Sequence, residues 1–372
     1  MDNMSIFDLL PEDEAAKYKP INSTDWKWTM ANDYPKEKNG LKVFSCFACG
    51  GGSTMGYKLA GCEVLGCCEI DPKMNERYIK NHNPKYNYLM DIRKFNEIPN
   101  EELPPELFNL DILDGSPPCT TFSMAGEREE SWGKKKKFKE GQAEQTLDDL
   151  SFVFIDTIKK LKPKVMIMEN VEGLIKGEAW SYVQKIYAQL HGIGYQVKHW
   201  LCKAHVMGVP QRRNRVFFIA LRQDVNFDLA YLDMHFNYEP IYYGDIKETE
   251  GRKLGKDTET YKLALAALPE EKDIGAVNMR LNQKVSGFQT FLINSNSLVP
   301  TLRSKPDVLD RESLCYISRE TIISAQTFPQ DYDFGDTTYA TAGYICGMSV
   351  PPIMIKRIVT RLIESGVFDC TS

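Results

Sequence analysis

Apolar residues in the first two thirds of the chain come in short runs. These alternate with stretches whose apolar positions recur every three or four residues. Val43–Phe47 is the first run; it ends in a glycine-rich turn and leads into a helix-like stretch at Ser53–Ala60. Glu63–Glu69 reads as a second strand. Pro72 follows where a helix can begin, because a first-turn residue needs no N–H. Leu110–Asp114, Val165–Glu169 and Val216–Ala220 are further short strands of the buried kind, and Leu147, Leu150, Phe154, Ile158 and Leu161 recur at helical spacing between them. Strands alternating with helices predict an α/β fold with a doubly wound, mainly parallel, Rossmann-like sheet covered on both faces.

The rhythm is lost after Arg222. Residues 222–297 carry scattered charges, aromatics and turn residues, which reads as a separate small domain. Pro351 and Pro352 then open a helix with Ile355, Ile358, Val359 and Leu362 on one stripe, and Gly366 is placed to stop it. So apolar a helix should pack back on the first domain. Residues 1–40 are polar and net acidic, broken by Pro11, Pro20 and Pro35, and read as an extension laid over the main domain. The expected organisation is therefore an extension (1–40), a main domain (41–222), a small domain (223–340) and a returning segment (341–372).

Composition narrows the class. The chain has 372 residues, 42% apolar and 26% charged, enough to bury a core without staples. No stretch reaches the roughly 18 uncharged apolar residues of a membrane span, and the acidic start lacks the features of a secretory signal. Ten cysteines in so long a chain fit reduced thiols and a cytoplasmic location better than a disulfide framework. The net charge of −5 excludes a uniformly basic coat but not a local basic groove.

Four segments carry candidate chemistry. Phe47-Ala48-Cys49-Gly50-Gly51-Gly52 ends the first strand with glycines that let backbone approach a ligand, and Glu69 ends the second strand, where a carboxylate accepts from ribose hydroxyls. Asp91, after another short segment, could accept from an adenine amino group. The glycines alone fit a turn that binds nothing; with the carboxylate, a nucleoside becomes the favoured ligand. No Lys-Ser/Thr pair follows them as in a P-loop. Cys46 and Cys49 form a CxxC, but Cys67 and Cys68 are adjacent, so the two spaced pairs of a zinc site are incomplete; a redox CxxC would open a helix, whereas Cys46 falls in the strand, and these cysteines read as packing residues with no metal ligand expected. Asp114-Gly115-Ser116-Pro117-Pro118-Cys119 places a thiol after two prolines that stiffen the turn. Glu169-Asn170-Val171 follows an apolar strand, where a carboxylate could face the crevice or cap a helix. Gln211, Arg213 and Arg215 alternate before the strand at Val216 and could line a site, bind phosphate or form a solvated charge run.

In this order the segments resemble the cytosine-5 DNA methyltransferases, from about Leu41 to Phe368. Pro118-Cys119, Glu169-Asn170-Val171, Gln211-x-Arg213-x-Arg215, Phe328-Pro329-Gln330-Asp331-Tyr332 and Gly347-Met348-Ser349-Val350-Pro351 match successive family motifs. The resemblance implies S-adenosylmethionine as cofactor, held by Phe47, Ala48, Gly51, Gly52, Glu69, Ile70, Asp91, Ile92, Asp114, Pro117 and Ser349. It implies catalysis by Cys119, Glu169, Arg213 and Arg215, with Arg213 steadying the base carbonyl and Arg215 supporting the catalytic loop. Two positions depart from it: Cys49 stands where the family commonly has Gly, and Met348 where it commonly has Asn.

The implied reaction adds the Cys119 thiolate to carbon 6 of a flipped cytosine while Glu169 engages ring N3, so that carbon 5 can attack a sulfonium methyl. Residues 120–145, with Ser123, Arg128, Lys134–Lys137 and Lys139, would close over double-stranded DNA, and the small domain would recognise the target. A monomer is expected, and a cognate restriction endonuclease is compatible with it. A tRNA methyltransferase would carry a Cys-Phe-Thr signature that is lacking here. A non-catalytic binding module would not need Cys119 and Glu169, and a nicotinamide oxidoreductase would leave both motifs unexplained.

Overall fold

The computed structural model describes residues 21–118, 150–283 and 290–369. Seven strands form the main sheet: β1 (Lys42–Cys46), β2 (Glu63–Glu69), β3 (Tyr86–Leu89), β4 (Ile112–Gly115), β5 (Val165–Val171), β6 (Tyr195–Lys203) and β7 (Asn214–Arg222). Their order is β3-β2-β1-β4-β5-β7-β6. Only the pairings of β7, with β5 and β6, are antiparallel. The order in which successive strands are added reverses between β1 and β4, the switch point where open α/β sheets bind ligands.

The continuous apolar runs are explained by burial on both faces. Successive residues of one strand enter different cores. Val43, Ile112, Val165, Ile167, Phe217 and Ile219 share one, whereas Phe44, Leu113, Met166, Met168, Val216 and Phe218 share the other. Helices α1 (Gly52–Leu59) and α2 (Pro72–His82) follow β1 and β2, and α3 (Ile92–Glu97) follows β3. The helical periodicity seen around Phe154 is α4 (Leu150–Leu161), which with α5 (Trp180–Gly192) covers the second core. Its first apolar position, Leu147, lies outside the described residues.

Two strand expectations change. β5 continues two residues past Glu169, because β7 pairs along it with Glu169 opposite Phe217 and Val171 opposite Arg215. β6 lacks the apolar run that marks the others: it is an edge strand with most residues half-buried, and its polar members hide it.

A second sheet, β8-β11-β10-β9, is built from Glu250–Lys253 (β8), Phe291–Ile293 (β9), Val308–Asp310 (β10) and Cys315–Ile317 (β11). With α6 (Glu259–Leu265) and α7 (Ile274–Asn282) it encloses a small core of Leu254, Leu263, Ile274, Val277, Leu292 and Leu309. Residues before it, including Leu229, Leu232, Phe236 and Ile246, join the large core instead. The chain returns through α8 (Arg319–Ala325) and α9 (Tyr339–Met348) to α10 (Pro352–Glu364). The stripe Ile355, Ile358, Val359 and Leu362 of α10 is buried, and Gly366 follows in the left-handed region at φ +77°. α10 lies against α1 at Gly56, where a Cβ would come within 2.5 Å of Ile355 Cβ and of the Pro352 carbonyl. No helix among the described residues is long and apolar enough to cross a membrane.

Candidate active site

The cavity lies at the carboxyl ends of the central parallel strands and measures about 850 Å³, counting its open mouth. The turn after β1 is held in an unusual conformation, with positive φ at Phe47 (56°), Cys49 (48°) and Gly51 (86°). Non-glycine residues adopt this region at a cost, and the surrounding structure must hold them there. Glu69 does much of this. Its Oε2 accepts from the Cys49 amide at 2.7 Å, and Oε1 accepts from the amides of Ile70 at 2.9 Å and Asp71 at 2.8 Å. Burial pushes the Glu69 carboxyl upward while these donors pull it back. Asp91, at the far side, accepts from the Arg93 amide at 2.8 Å and pairs with the Arg93 guanidinium at 3.3 Å.

Phe47, Glu69, Ile70, Asp91 and Ile92 line this cavity, together with Ser116 and Pro118 from the loop after β4. Six residues expected at the cofactor, Ala48, Gly51, Gly52, Asp114, Pro117 and Ser349, are not in the lining. Gly51 and Gly52 face inward: a Cβ on Gly51 would strike the His82 ring at 2.0 Å, and one on Gly52 the Val350 carbonyl at 2.2 Å. Asp114 is buried below the cavity, accepting from the Ser45 hydroxyl at 2.6 Å and the Tyr57 hydroxyl at 3.0 Å. Burial pushes its carboxyl up to about 7. Cys46, Cys67 and Cys68 are buried free thiols. The lining also contains Tyr344 and Met348, one turn apart on α9. Helical spacing back from Met348, four residues on, is the signal that could have found Tyr344. Cys49 and Met348, the two departures from the family pattern, both line the cavity.

The carboxylate and arginine motifs meet across β5 and β7. Arg215 Nε lies 2.7 Å from Glu169 Oε1, with both side chains largely buried. The Asn170 amide donates to the Pro117 carbonyl at 3.4 Å, linking β5 to the turn that leads to position 119. Arg213 turns elsewhere. Its guanidinium donates to the carbonyls of Leu302 at 3.1 Å, Gly347 at 3.4 Å and Ser349 at 3.1 Å. Gln211 accepts from the Leu302 amide at 3.0 Å and donates to Gln326 at 2.7 Å. Arg213 therefore ties the returning segments to the sheet, and Arg215 is the guanidinium on the carboxylate. β7 opens only at Asn214, so strand alternation does not govern where Arg213 points. Cys119 and the basic stretch 120–145 lie outside the described residues. Among the described residues, no group of three or more His, Cys, Asp or Glu side chains could hold a metal ion.

Comparison with known proteins agrees with this layout. The chain is 31% identical over 206 residues to the type II methyltransferase M.NgoPII of Neisseria gonorrhoeae, an alignment covering 54% of each protein. It is 33% identical over 186 residues to the type II methyltransferase M.FnuDI of Fusobacterium nucleatum, covering 50% of this chain and 48% of that one. The chain thus spans about half the length of the curated relatives it matches. In fold it is similar to a candidate DNA modification methyltransferase encoded within an E. coli prophage. The TM-score is 0.60 at 19% identity, covering 87% of this chain and 99% of the other. The model of the C-5 cytosine-specific DNA methylase family matches residues 41–364, and the chain belongs to that family.

Proposed function

We propose that the chain transfers a methyl group from S-adenosylmethionine to carbon 5 of a cytosine in duplex DNA, through a covalent adduct of Cys119. The observation that carries this reading is the link, through Asn170 and Pro117, between the Glu169–Arg215 pair on β5 and β7 and the loop after β4 that lines the cavity. The cavity fits the donor: Glu69 and Asp91 offer carboxylates to ribose hydroxyls and an adenine amino group, between apolar Phe47, Ile70 and Ile92. When bound, the donor supplies an electrophilic sulfonium methyl.

The chain's own groups prepare the base. Glu169, oriented by Arg215, hydrogen-bonds or protonates ring N3 and draws electron density from carbon 6. The Cys119 thiolate adds there, forming a sulfur–carbon bond and placing an electron pair on carbon 5, which takes the methyl. Loss of the carbon-5 proton expels the thiolate and restores the ring. Arg215, rather than Arg213, is the guanidinium assigned to the base carbonyl, since Arg213 is committed to main-chain carbonyls. A paired base is out of reach, so the cytosine is flipped, with residues 120–145 closing over the phosphates and residues 223–340 recognising the target. A monomer in the reducing cytoplasm, paired with an endonuclease of like specificity, completes the reading. The relatives named type II methyltransferases support that pairing.

The test is methyl transfer from labelled S-adenosylmethionine to mixed-sequence duplex DNA, with sites mapped by bisulfite sequencing. Label on cytosines within one short word, lost in Cys119→Ala, is the expected result. Transfer to tRNA and not DNA would overturn it.

A further inference from the structure

The described N-terminal segment precedes residue 41, where the family match begins, yet it is built into the large core. Trp28 is 4% exposed, and its indole N–H donates to the Thr327 carbonyl at 2.8 Å. The Gln330 amide donates back to the Trp28 carbonyl at 3.1 Å. The Asp331 carboxylate accepts from the amides of Met30 at 2.8 Å and Ala31 at 3.0 Å. These bonds hold both sides of one tight turn, residues 327–331. The next residue, Tyr332, is 5% exposed and donates its hydroxyl to the Gly50 carbonyl at 2.8 Å.

Gly50 lies within the turn after β1. A Cβ there would lie 2.7 Å from the Tyr332 hydroxyl and 2.7 Å from Ile345, so the backbone is gripped directly. His82 Nε2 lies 3.2 Å from the same carbonyl. A carbonyl only accepts, so Nε2 carries the proton, and the partnerless buried Nδ1 does not. Cys49, on one side of Gly50, lines the cavity in the left-handed conformation, with its own amide held by Glu69.

We propose that residues 21–34 form a brace that holds Tyr332 against the Gly50 carbonyl, making Tyr332 and Trp28 positioning residues for the methyl donor. The inference rests on the cofactor reading above and extends it to a segment outside the matched family residues. It follows from strain: Phe47 and Cys49, neither of them glycine, sit at positive φ, and bonds from outside the turn help to hold its backbone there. Two of those bonds arrive at Gly50, one of them from a turn whose far side is the N-terminal segment.

The test is binding of S-adenosylhomocysteine to the full chain by calorimetry, alongside kcat and KM for transfer. Tyr332→Phe keeps the ring and removes the hydroxyl; it should weaken binding roughly 3- to 10-fold, the worth of one buried hydrogen bond, with kcat at saturating donor unchanged. Trp28→Phe should weaken binding in the wild-type background and add nothing in Tyr332→Phe, as coupled residues do. Asp331→Ala, which leaves Trp28 in place, should behave like Trp28→Phe. Wild-type affinity in Tyr332→Phe, or an undiminished Trp28→Phe effect in the Tyr332→Phe background, would overturn the brace. No binding by the unaltered chain would overturn the cofactor reading itself.

Discussion

Arg215 reaches Glu169 diagonally across β5 and β7: its register partner is Val171, and its Nε lies 2.7 Å from the Glu169 carboxylate two positions back. Both groups are largely buried, so each is the other's compensation for lost water. Glu169→Gln should lower turnover by about 100-fold or more while leaving donor affinity intact, since in the proposed reaction the carboxyl acts on the base. Arg215→Met should do the same and also destabilise the fold by about 3–5 kcal/mol, because a charge is left buried alone. Single-turnover kinetics with urea unfolding separates the two effects.

Arg213 should behave differently from its neighbour. It bonds main-chain carbonyls of two segments, at Leu302 and at Gly347 and Ser349. Arg213→Met leaves these carbonyls without their donor and should cost about 3 kcal/mol of stability. Activity should persist at temperatures well below the lowered midpoint. A variant that melts like wild type but has lost turnover would place Arg213 in the chemistry instead.

Asp114 predicts a pH dependence. Burial raises its carboxyl to about 7 from the ordinary 3.8, so between those values the folded chain holds a proton that the unfolded chain has released. Stability therefore falls as pH rises from about 4 to 7 and levels off above, by up to about 4 kcal/mol from this group. Asp114→Asn should flatten that part of the profile. Buried Glu69 is shifted in the same direction and should leave a residual slope.

Gly56 separates helix propensity from packing. Alanine is favoured over glycine inside a helix by about 1 kcal/mol, and Gly56 sits inside α1. A Cβ there would meet the Pro352 carbonyl at 2.5 Å, an atom of backbone that cannot swing away. Gly56→Ala should thus destabilise by about 1–3 kcal/mol, and thermal unfolding would read it. A stabilised variant would mean that α10 can shift off α1 at little cost.

Much of this protein was legible along the chain because the signals are local. An apolar run long enough for one strand, a proline at a first turn and a glycine where φ turns positive each act within a few residues. They located β1, β2, β4 and α10, with Glu69 at the cavity. β6 was hidden because an edge strand need not be apolar, and the end of β5 because pairing with β7, not composition, extends it. The two arginines could not be told apart: both follow one spacing, and only the packing of Leu302 and Ser349 against the sheet draws Arg213 away from Glu169. The same holds for Tyr332, which meets Gly50 across 282 residues of sequence. Local sequence determines which backbone can form and where a reactive group stands on its element. Which distant groups share a buried hydrogen bond is decided only when the two cores close, because desolvation forces every buried donor and acceptor to find its partner in three dimensions.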